Sequence, residues 1–119
     1  QFVGGELRII FKDGGGTVNA NVDISYFSIE ASGGAGNFNV SGKADFAYLK
    51  VQSNAFGDAS SLLADKLLMF NNSSGDLFGR VKDGGELKAE IYYKGNNYIY
   101  GNPLVMDTID DGEGQNIFN

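Results

Sequence analysis

Acidic side chains are concentrated in the last segment of the chain, where they could bind a metal ion. Four of them lie beyond Lys94, the last basic residue: Asp107, Asp110, Asp111 and Glu113. Calcium takes roughly six to eight oxygen ligands, and closely spaced carboxylates beside glycine supply several of them. An EF-hand loop does not fit, because aligning Gly112 with its glycine leaves Ile109 and Phe118 at ligand positions. We expect a solvated acidic loop and no cofactor, with a non-EF calcium site at Asp107, Asp110, Asp111 and Glu113 as the alternative.

A second set of residues combines aromatic rings with side-chain amides within one short stretch. Its members are Tyr92, Asn96, Asn97, Tyr98 and Tyr100. We expect the tyrosines to pack against one another across neighbouring strands, which stabilises a sheet. Proteins also bind sugars by stacking them on aromatic faces and by hydrogen bonds from amides, so a carbohydrate-binding surface is the alternative.

Apolar residues stand near both ends of the sequence, and nearby glycines set them apart from the rest. They are Phe2, Val3, Ile117 and Phe118. Such segments are typical of edge strands, either within the domain or paired with a neighbouring subunit. An extended segment added to an exposed sheet edge gains main-chain hydrogen bonds and side-chain pockets. We predict that these four residues contact a second subunit.

The composition argues against most enzymatic chemistry. The chain has no histidine and no cysteine, which removes the commonest general base, thiolate ligands and histidine-activated nucleophiles. Glu86 and Glu90 have the character of ordinary outward strand charges, and no spacing singles out a glycosidase pair. The glycine-rich stretches lack the lysine of a phosphate-binding loop. We expect the protein not to be an enzyme.

The net charge limits the range of partners. The 119 residues carry a formal charge of −6, with a sequence pI near 4.4. A surface that binds nucleic acid or an anionic membrane needs a basic patch, so we expect neither partner. No apolar run approaches the roughly 20 residues of a membrane helix, and we expect no membrane insertion.

Alternation of apolar and polar residues predicts strands along most of the chain. Residues 6–12, 17–29, 37–52 and 66–71 read as strands, the third with a bulge near residue 47 or 48. Eighteen glycines against one proline indicate many turns between short strands. The exception is the stretch of residues 58–65, where Asp58 can cap a short helix.

The phrases GGEL and KDGG each occur twice, near the start of the chain and again at residues 82–87. Asp-Gly-Gly permits a tight turn, and Glu-Leu begins an alternating strand. This pattern predicts two similar hairpins, the second within a three-stranded antiparallel meander over residues 77–100. An internal duplication is the alternative explanation of the repeated phrases.

These elements together predict one all-β domain over residues 1–119. We expect an antiparallel β-sandwich, or a jelly-roll-like fold, of about eight strands with one short helix at residues 58–65. The predicted core consists of Leu7, Ile9, Phe11, Val22, Ile24, Phe38, Val40, Phe46, Leu67, Met69, Phe78, Val81, Leu87, Ala89 and Ile91.

Function is predicted at the level of two classes. The first is a non-enzymatic structural subunit of an extracellular or particle-surface assembly (a filament, pilus-like or capsid-decoration type), held by strand pairing through the terminal segments. Its main partner would be a further copy of itself. The second class is a small binding module for carbohydrate, or one that depends on calcium. Both classes favour a location outside the cell or on a cell or particle surface.

Overall fold

The structure, a computed structural model, describes residues 2–12, 16–33 and 36–119, with Phe2 and Phe11 described through their backbone alone. The glycine turn predicted at residues 13–15 lies outside this part of the chain. Eight strands occupy the described residues: β1 (Phe2–Lys12), β2 (Thr17–Ser32), β3 (Asn37–Ser53), β4 (Phe56–Ser73), β5 (Leu77–Ile91), β6 (Asn97–Tyr100), β7 (Val105–Asp110) and β8 (Asn116–Phe118).

The strands stack in parallel into a β-solenoid. They lie in the order β1-β2-β3-β4-β5-β6-β8, and β7 pairs with β5 beside β6. Every strand pair among the described residues is parallel. The predictions of an all-β chain and of about eight strands are confirmed, but the antiparallel β-sandwich or jelly roll is wrong.

In the described part of the chain, no helix has the length and apolar character of a membrane span.

Each rung of the solenoid takes about 20 residues, so residues one repeat apart form a column along the stack. One inward column holds Leu7, Phe27, Ala47, Leu67 and Leu87. The molecule measures 30 by 28 by 17 Å. Its thin dimension fits two strand layers that face each other across about 10 Å. The solenoid is therefore flattened, with two outer faces and one narrow core.

Each long strand bends around a corner of its rung, and the corner is visible as a change in the phase of burial. In β2 every second residue is buried up to Ile24, and burial then resumes in the opposite phase at Phe27. The extra residue turns the chain so that both halves face the same core. The close approach of the two halves is visible at Gly79, which lies in the first half of its rung. A Cβ at this position would lie 2.9 Å from Leu67 Cδ2 and Met69 Sδ, which belong to the second half of the preceding rung.

A column of small residues lines the opposite corner, where the rungs approach one another closely. Its members are Gly16, Gly36, Ala55, Gly75, Gly95 and Gly114. A Cβ on Gly95 would overlap the carbonyl oxygen of Gly75, and a Cβ on Gly114 would overlap that of Gly95. Glycine is needed in these later rungs because backbone fills the space that a side chain would take.

Buried polar side chains complete the hydrogen bonding at this corner. Asn71 Nδ2 donates to the carbonyl oxygens of Gly75 and Asn96, both at 3.1 Å. Ser73 Oγ donates to the carbonyl oxygen of Ala55 at 2.6 Å. Both side chains are fully buried, so these bonds satisfy carbonyl groups that the turning chain removes from water.

The helix predicted over residues 58–65 is wrong, because the whole segment lies inside β4. Asp58 caps a local turn instead: its Oδ1 accepts hydrogen bonds from Ser60 N at 2.9 Å and from Ser60 Oγ at 2.6 Å. Ala59 and Leu62 are both buried, three residues apart, which resembles helical spacing. That spacing reflects the rung's corner, where the register between β4 and β5 shifts.

The antiparallel meander predicted over residues 77–100 is also wrong. Leu77 pairs in parallel with Asn97, and the predicted Asp-Gly-Gly turn is a corner within β5. The two GGEL phrases, at residues 4–7 and 84–87, lie four repeats apart, and register pairs join their glutamates through one column. The repeated phrase therefore marks equivalent corners of two rungs and not two hairpins.

Most of the predicted core is inside the solenoid. Leu7 and Ile9 are partly buried against the core, while Phe46 and Phe78 were placed in the core wrongly because they face outward and stack on neighbouring rungs. The side chain of Phe11 is outside the described part of the chain. The predicted core residues that are buried are Val22, Ile24, Phe38, Val40, Leu67, Met69, Val81, Leu87, Ala89 and Ile91.

The glycine column yields a direct test of the rung stacking. We expect Gly95→Ala to lower the free energy of unfolding by roughly 3 kcal/mol, because the new methyl group meets backbone of the preceding rung. Gly16→Ala is the matched control: it belongs to the same column, and its Cβ would meet no atom within 4 Å. Urea denaturation of both variants measures the difference. Equal stabilities would contradict the close stacking of rungs at this corner.

Candidate functional site

A polar groove crosses strands β2, β3 and β4 on one outer face of the solenoid. It is an open depression of about 390 Å³. Ala20 and Val40 contribute to its lining, and the other lining side chains are amides, hydroxyls and a carboxylate: Asn19, Asn21, Asn39, Ser41, Asp58 and Ser61. Asn39 Nδ2 donates to Asn19 Oδ1 at 3.4 Å, so the amides form a ladder along the axis. These groups offer donors and acceptors to a ligand rich in hydroxyl groups.

Aromatic side chains continue the same face toward the last rungs. The rings of Phe78 and Tyr98 stack with centroids 4.7 Å apart and planes inclined by 10°. The guanidinium of Arg80 lies 5.2 Å from the centre of the Tyr100 ring, and Arg80 Nε donates to the carbonyl oxygen of Ser60 at 2.7 Å. Stacking covers one face of Phe78, and the opposite face looks toward the rung of its register partner Asp58.

The other outer face carries a ladder of aromatic and charged side chains. The rings of Tyr26 and Phe46 stack at 5.3 Å, and those of Phe70 and Tyr92 meet at 5.0 Å. Lys50 lies over the Phe70 ring at 5.0 Å, while Arg8 lies over Tyr26 at 4.9 Å. Each contact joins neighbouring rungs, so these side chains support the stack and leave few ring faces free for a ligand.

The residues predicted to bind carbohydrate do not form one surface. Tyr98 and Tyr100 lie on the face of the polar groove, whereas Tyr92 belongs to the aromatic and charged face. Asn97 is fully buried and donates to Asn116 Oδ1 at 2.9 Å. Asn96 Oδ1 accepts a hydrogen bond from the backbone of Gln115. The polar groove lies on the earlier strands β2 to β4. The sequence analysis missed it because its residues are far apart in sequence and meet only through the 20-residue repeat.

The residues predicted to bind calcium lie in the last rung. Asp107 is exposed on β7 and pairs in register with Lys88, while Asp110 Oδ1 accepts a hydrogen bond from Asn116 Nδ2 at 2.6 Å. Asp111 and Glu113 follow β7. Within the described ranges, no three acidic, histidine or cysteine side chains group closely enough to hold a metal ion. Calcium binding stays a prediction.

The residues predicted to contact another subunit lie at the two opposite ends of the strand order. Phe2 and Val3 belong to β1, and Ile117 and Phe118 belong to β8. In the described residues β1 pairs only with β2, and β7 pairs only with β5. Within the described residues the other side of each strand has no partner strand, and we call these two sides the first-rung edge and the last-rung edge. The contribution of β7 to the last-rung edge was missed by the sequence reasoning.

Two tyrosines on the aromatic and charged face hold their protons more tightly than usual. The Tyr92 hydroxyl donates to Glu90 Oε1, and this bond, with burial and the charges of Glu90 and Asp111, raises the pKa of Tyr92 to about 12. Burial, followed by the nearby Glu30 and Glu90 carboxylates, raises the pKa of Tyr48. Carboxylates disfavour a second negative charge close by, so both phenols keep their protons to a higher pH than an isolated tyrosine does.

The parallel rungs define the protein as a β-solenoid repeat domain. The chain belongs to the family described as "Putative auto-transporter adhesin, head GIN domain", whose model matches residues 3–103, from β1 through β6. The family makes it an adhesin-like domain of the cell surface or extracellular space, which confirms the predicted location at that level. No curated protein and no solved structure matched the chain.

The Tyr92–Glu90 contact predicts a loss of stability at alkaline pH. The pKa of Tyr92 is raised to about 12 in the folded protein, against about 10 for an unfolded tyrosine. The folded state therefore retains the proton longer, and this stabilisation is present below pH ~10 and is lost as pH rises toward 12. Glu90→Gln should lower the pKa of Tyr92, followed by its ring-carbon NMR shifts. Glu86→Gln, on the same strand, is the control, and equal titrations of the two variants would exclude Glu90 as the cause.

Proposed function

We propose that this chain is a surface-displayed, adhesin-like module that associates with further copies of itself through its first-rung edge and its last-rung edge. The family supports the adhesin-like, surface-exposed class. The edges support the mode of association, because a free strand edge presents a row of unpaired N–H and C=O groups that another strand can bond.

The distribution of exposed apolar side chains is the observation that carries this proposal. Nine large apolar side chains are exposed in the described residues, and six of them belong to the first and last rungs. The six are Val3 (75% exposed), Ile10 (61%), Leu104 (80%), Val105 (55%), Met106 (55%) and Phe118 (47%). Exposed apolar groups beside unpaired backbone are typical of a surface that another chain covers.

The side faces of the solenoid are poorer candidates for association. Their aromatic rings stack on neighbouring rungs, and their charges pair within the chain, as in the 3.6 Å contact between Lys50 Nζ and Glu30 Oε1. Association through those faces would have to disrupt existing contacts. Association through the edges adds backbone hydrogen bonds and covers apolar groups without removing any contact.

Carbohydrate binding in the polar groove is a second candidate function. It is favoured by the hydrogen-bonded amides of Asn19 and Asn39 and by the hydroxyl of Ser61, all of which line the groove. Hydroxyl groups of a sugar need such alternating donors and acceptors. The groove runs across successive rungs, so it suits an extended chain of sugars better than a single one.

Edge association predicts a concentration-dependent mass in solution. Light scattering should detect multimers of the wild-type chain, and Ile10→Lys or Val105→Lys should return it to monomer, because an edge lysine opposes strand addition. Leu63→Lys is the control, because Leu63 is exposed on a middle rung. The same mass measurement, repeated with calcium and with a chelator, tests whether calcium binding by the acidic residues of the last rung affects association. A wild-type chain that stays monomeric at all concentrations would refute the proposal.

Groove binding predicts that removal of the amides weakens carbohydrate affinity. The double variant Asn19→Ala with Asn39→Ala should lose about tenfold in affinity, because two hydrogen-bonding groups disappear. The control is Asn72→Ala, which removes an exposed amide outside the groove. Oligosaccharides found on a glycan array can be titrated by calorimetry against all three proteins. No binding by the wild type, or equal loss in the control, would eliminate this candidate.

A further inference from the structure

We infer that the copies associate head to tail: the last-rung edge of one copy pairs in parallel with the first-rung edge of the next, in one fixed register. This inference rests on the proposed association and identifies the partner surface of each edge. It specifies the direction in which copies stack, the register of the two edge strands, and the ion pairs that favour that register.

The column arrangement determines which strands meet. Residues of β1 and β7 occupy the same columns, because Leu7 is linked through successive register pairs to Leu87, and Leu87 pairs with Met106. Translation of one copy along the solenoid axis therefore places its β1 on the β7 of another copy. The direction of both strands is the same, so the new contact is parallel like all the described ones.

The alternation of inward and outward side chains restricts the register. Leu7 and Ile9 point toward the core from β1, and the equivalent positions on β7 are Met106 and Thr108. A shift by one residue would place the inward side chains of one copy beside the outward side chains of the other. In-register stacking places Met106 beside Leu7 and Thr108 beside Ile9 of the next copy, so the core continues across these two positions. The third inward position places Asp110, whose Oδ1 already accepts a hydrogen bond from Asn116, beside Phe11.

The outward charges agree with this register. With Met106 beside Leu7, the neighbouring positions place Asp107 beside Arg8 and Asp111 beside Lys12, and Ile109 meets Ile10 between them. Asp107 already pairs in register with Lys88 of its own chain, so the joint would place it between two cations. Arg8 is 60% exposed and contacts Glu6 Oε1 at 3.1 Å, which leaves guanidinium N–H groups free for a second carboxylate.

The alternative pairings of the edges are electrostatically or geometrically poor. Two last-rung edges would bring together two copies of the acidic set Asp107, Asp110, Asp111 and Glu113, and no lysine or arginine follows Lys94. Two first-rung edges would be related by a twofold axis, which makes the strands antiparallel and interrupts the parallel columns. Exposed ion pairs add little affinity, but like charges at a contact disfavour the wrong partner.

A head-to-tail contact of this kind does not close on itself. The two surfaces are different, and a displacement along the solenoid axis leaves a free edge at each end of every multimer. Each added copy extends the same core and the same columns of side chains. The product is an open filament whose length depends on protein concentration.

Charge reversal tests the ion pairs. Arg8→Asp and Asp107→Arg should each raise the concentration needed for association about tenfold, and the variant with both changes should return to within about twofold of wild type. Lys43→Asp and Asp45→Arg make the same changes of charge on middle rungs and should have no effect. Lys12→Glu with Asp111→Lys repeats the test at the second pair, should an Arg8 variant fail to fold by circular dichroism.

Disulfide cross-linking tests the register independently, since the chain has no cysteine of its own. The variant Ile10→Cys with Ile109→Cys should oxidise to a ladder of covalent multimers on a non-reducing gel. Ile10→Cys with Met106→Cys, which places the second thiol in a different column, should give no ladder. The two single-cysteine variants limit any random cross-linking to dimers.

The outcomes separate this inference from the proposed function. Restoration in the reversed charge pair, together with a covalent ladder from the variant Ile10→Cys with Ile109→Cys, supports head-to-tail stacking. Multimers that ignore the charge reversals, or that cross-link equally in both double-cysteine variants, overturn the register while edge association stands. A wild-type chain that is monomeric overturns both.

Discussion

The parallel backbone ladder between rungs is the constraint on which the rest of the structure depends. Because each inner rung bonds to a rung on either side, positions about 20 residues apart must share the same surroundings. That requirement explains why the same residue type recurs at equivalent positions of successive rungs. Glycine recurs where Gly75, Gly95 and Gly114 approach one another, and aromatic rings such as Phe78 and Tyr98 stack on the outer face.

The alternation within each strand could be predicted from the sequence, but the way the strands associate could not. Period-two burial depends only on neighbouring residues, so the all-β class and most core residues followed from it. Asp-Gly-Gly in residues 83–85 offers the same conformational freedom to a hairpin as to a corner, and local turn chemistry does not distinguish them. The distinguishing signal was the long period, in the GGEL phrases and in the spacing of the glycine column.

The outward residues show why candidate sites were harder to predict than the core. Phe46 and Phe78 were placed inside because large apolar side chains are usually buried, yet in this solenoid each is half-covered by a ring one repeat away. Neighbours in sequence likewise separate, since Asn97 points into the core while Tyr98 faces outward. The terminal apolar residues do lie on the outermost strands, β1 and β8, which needs only strand order, while their contact with a second subunit stays a prediction.

A solenoid leaves its first and last rungs in a different condition from every other rung. Middle rungs bury their inward side chains between two neighbouring rungs. Met106 on β7 has a neighbouring rung on one side among the described residues and is 55% exposed, whereas its register partner Leu87 is almost fully buried. Repeat proteins resolve this asymmetry with a polar cap or with a partner. Charged residues do flank the apolar positions here: β1 carries Glu6, Arg8 and Lys12 and is net positive, whereas the charged residues on and after β7 are all acidic. Charges placed only to oppose association could have the same sign at both ends. In the proposed stacking, the opposite net signs of the two edges would favour one direction and disfavour the pairing of two acidic edges, as a directional assembly requires.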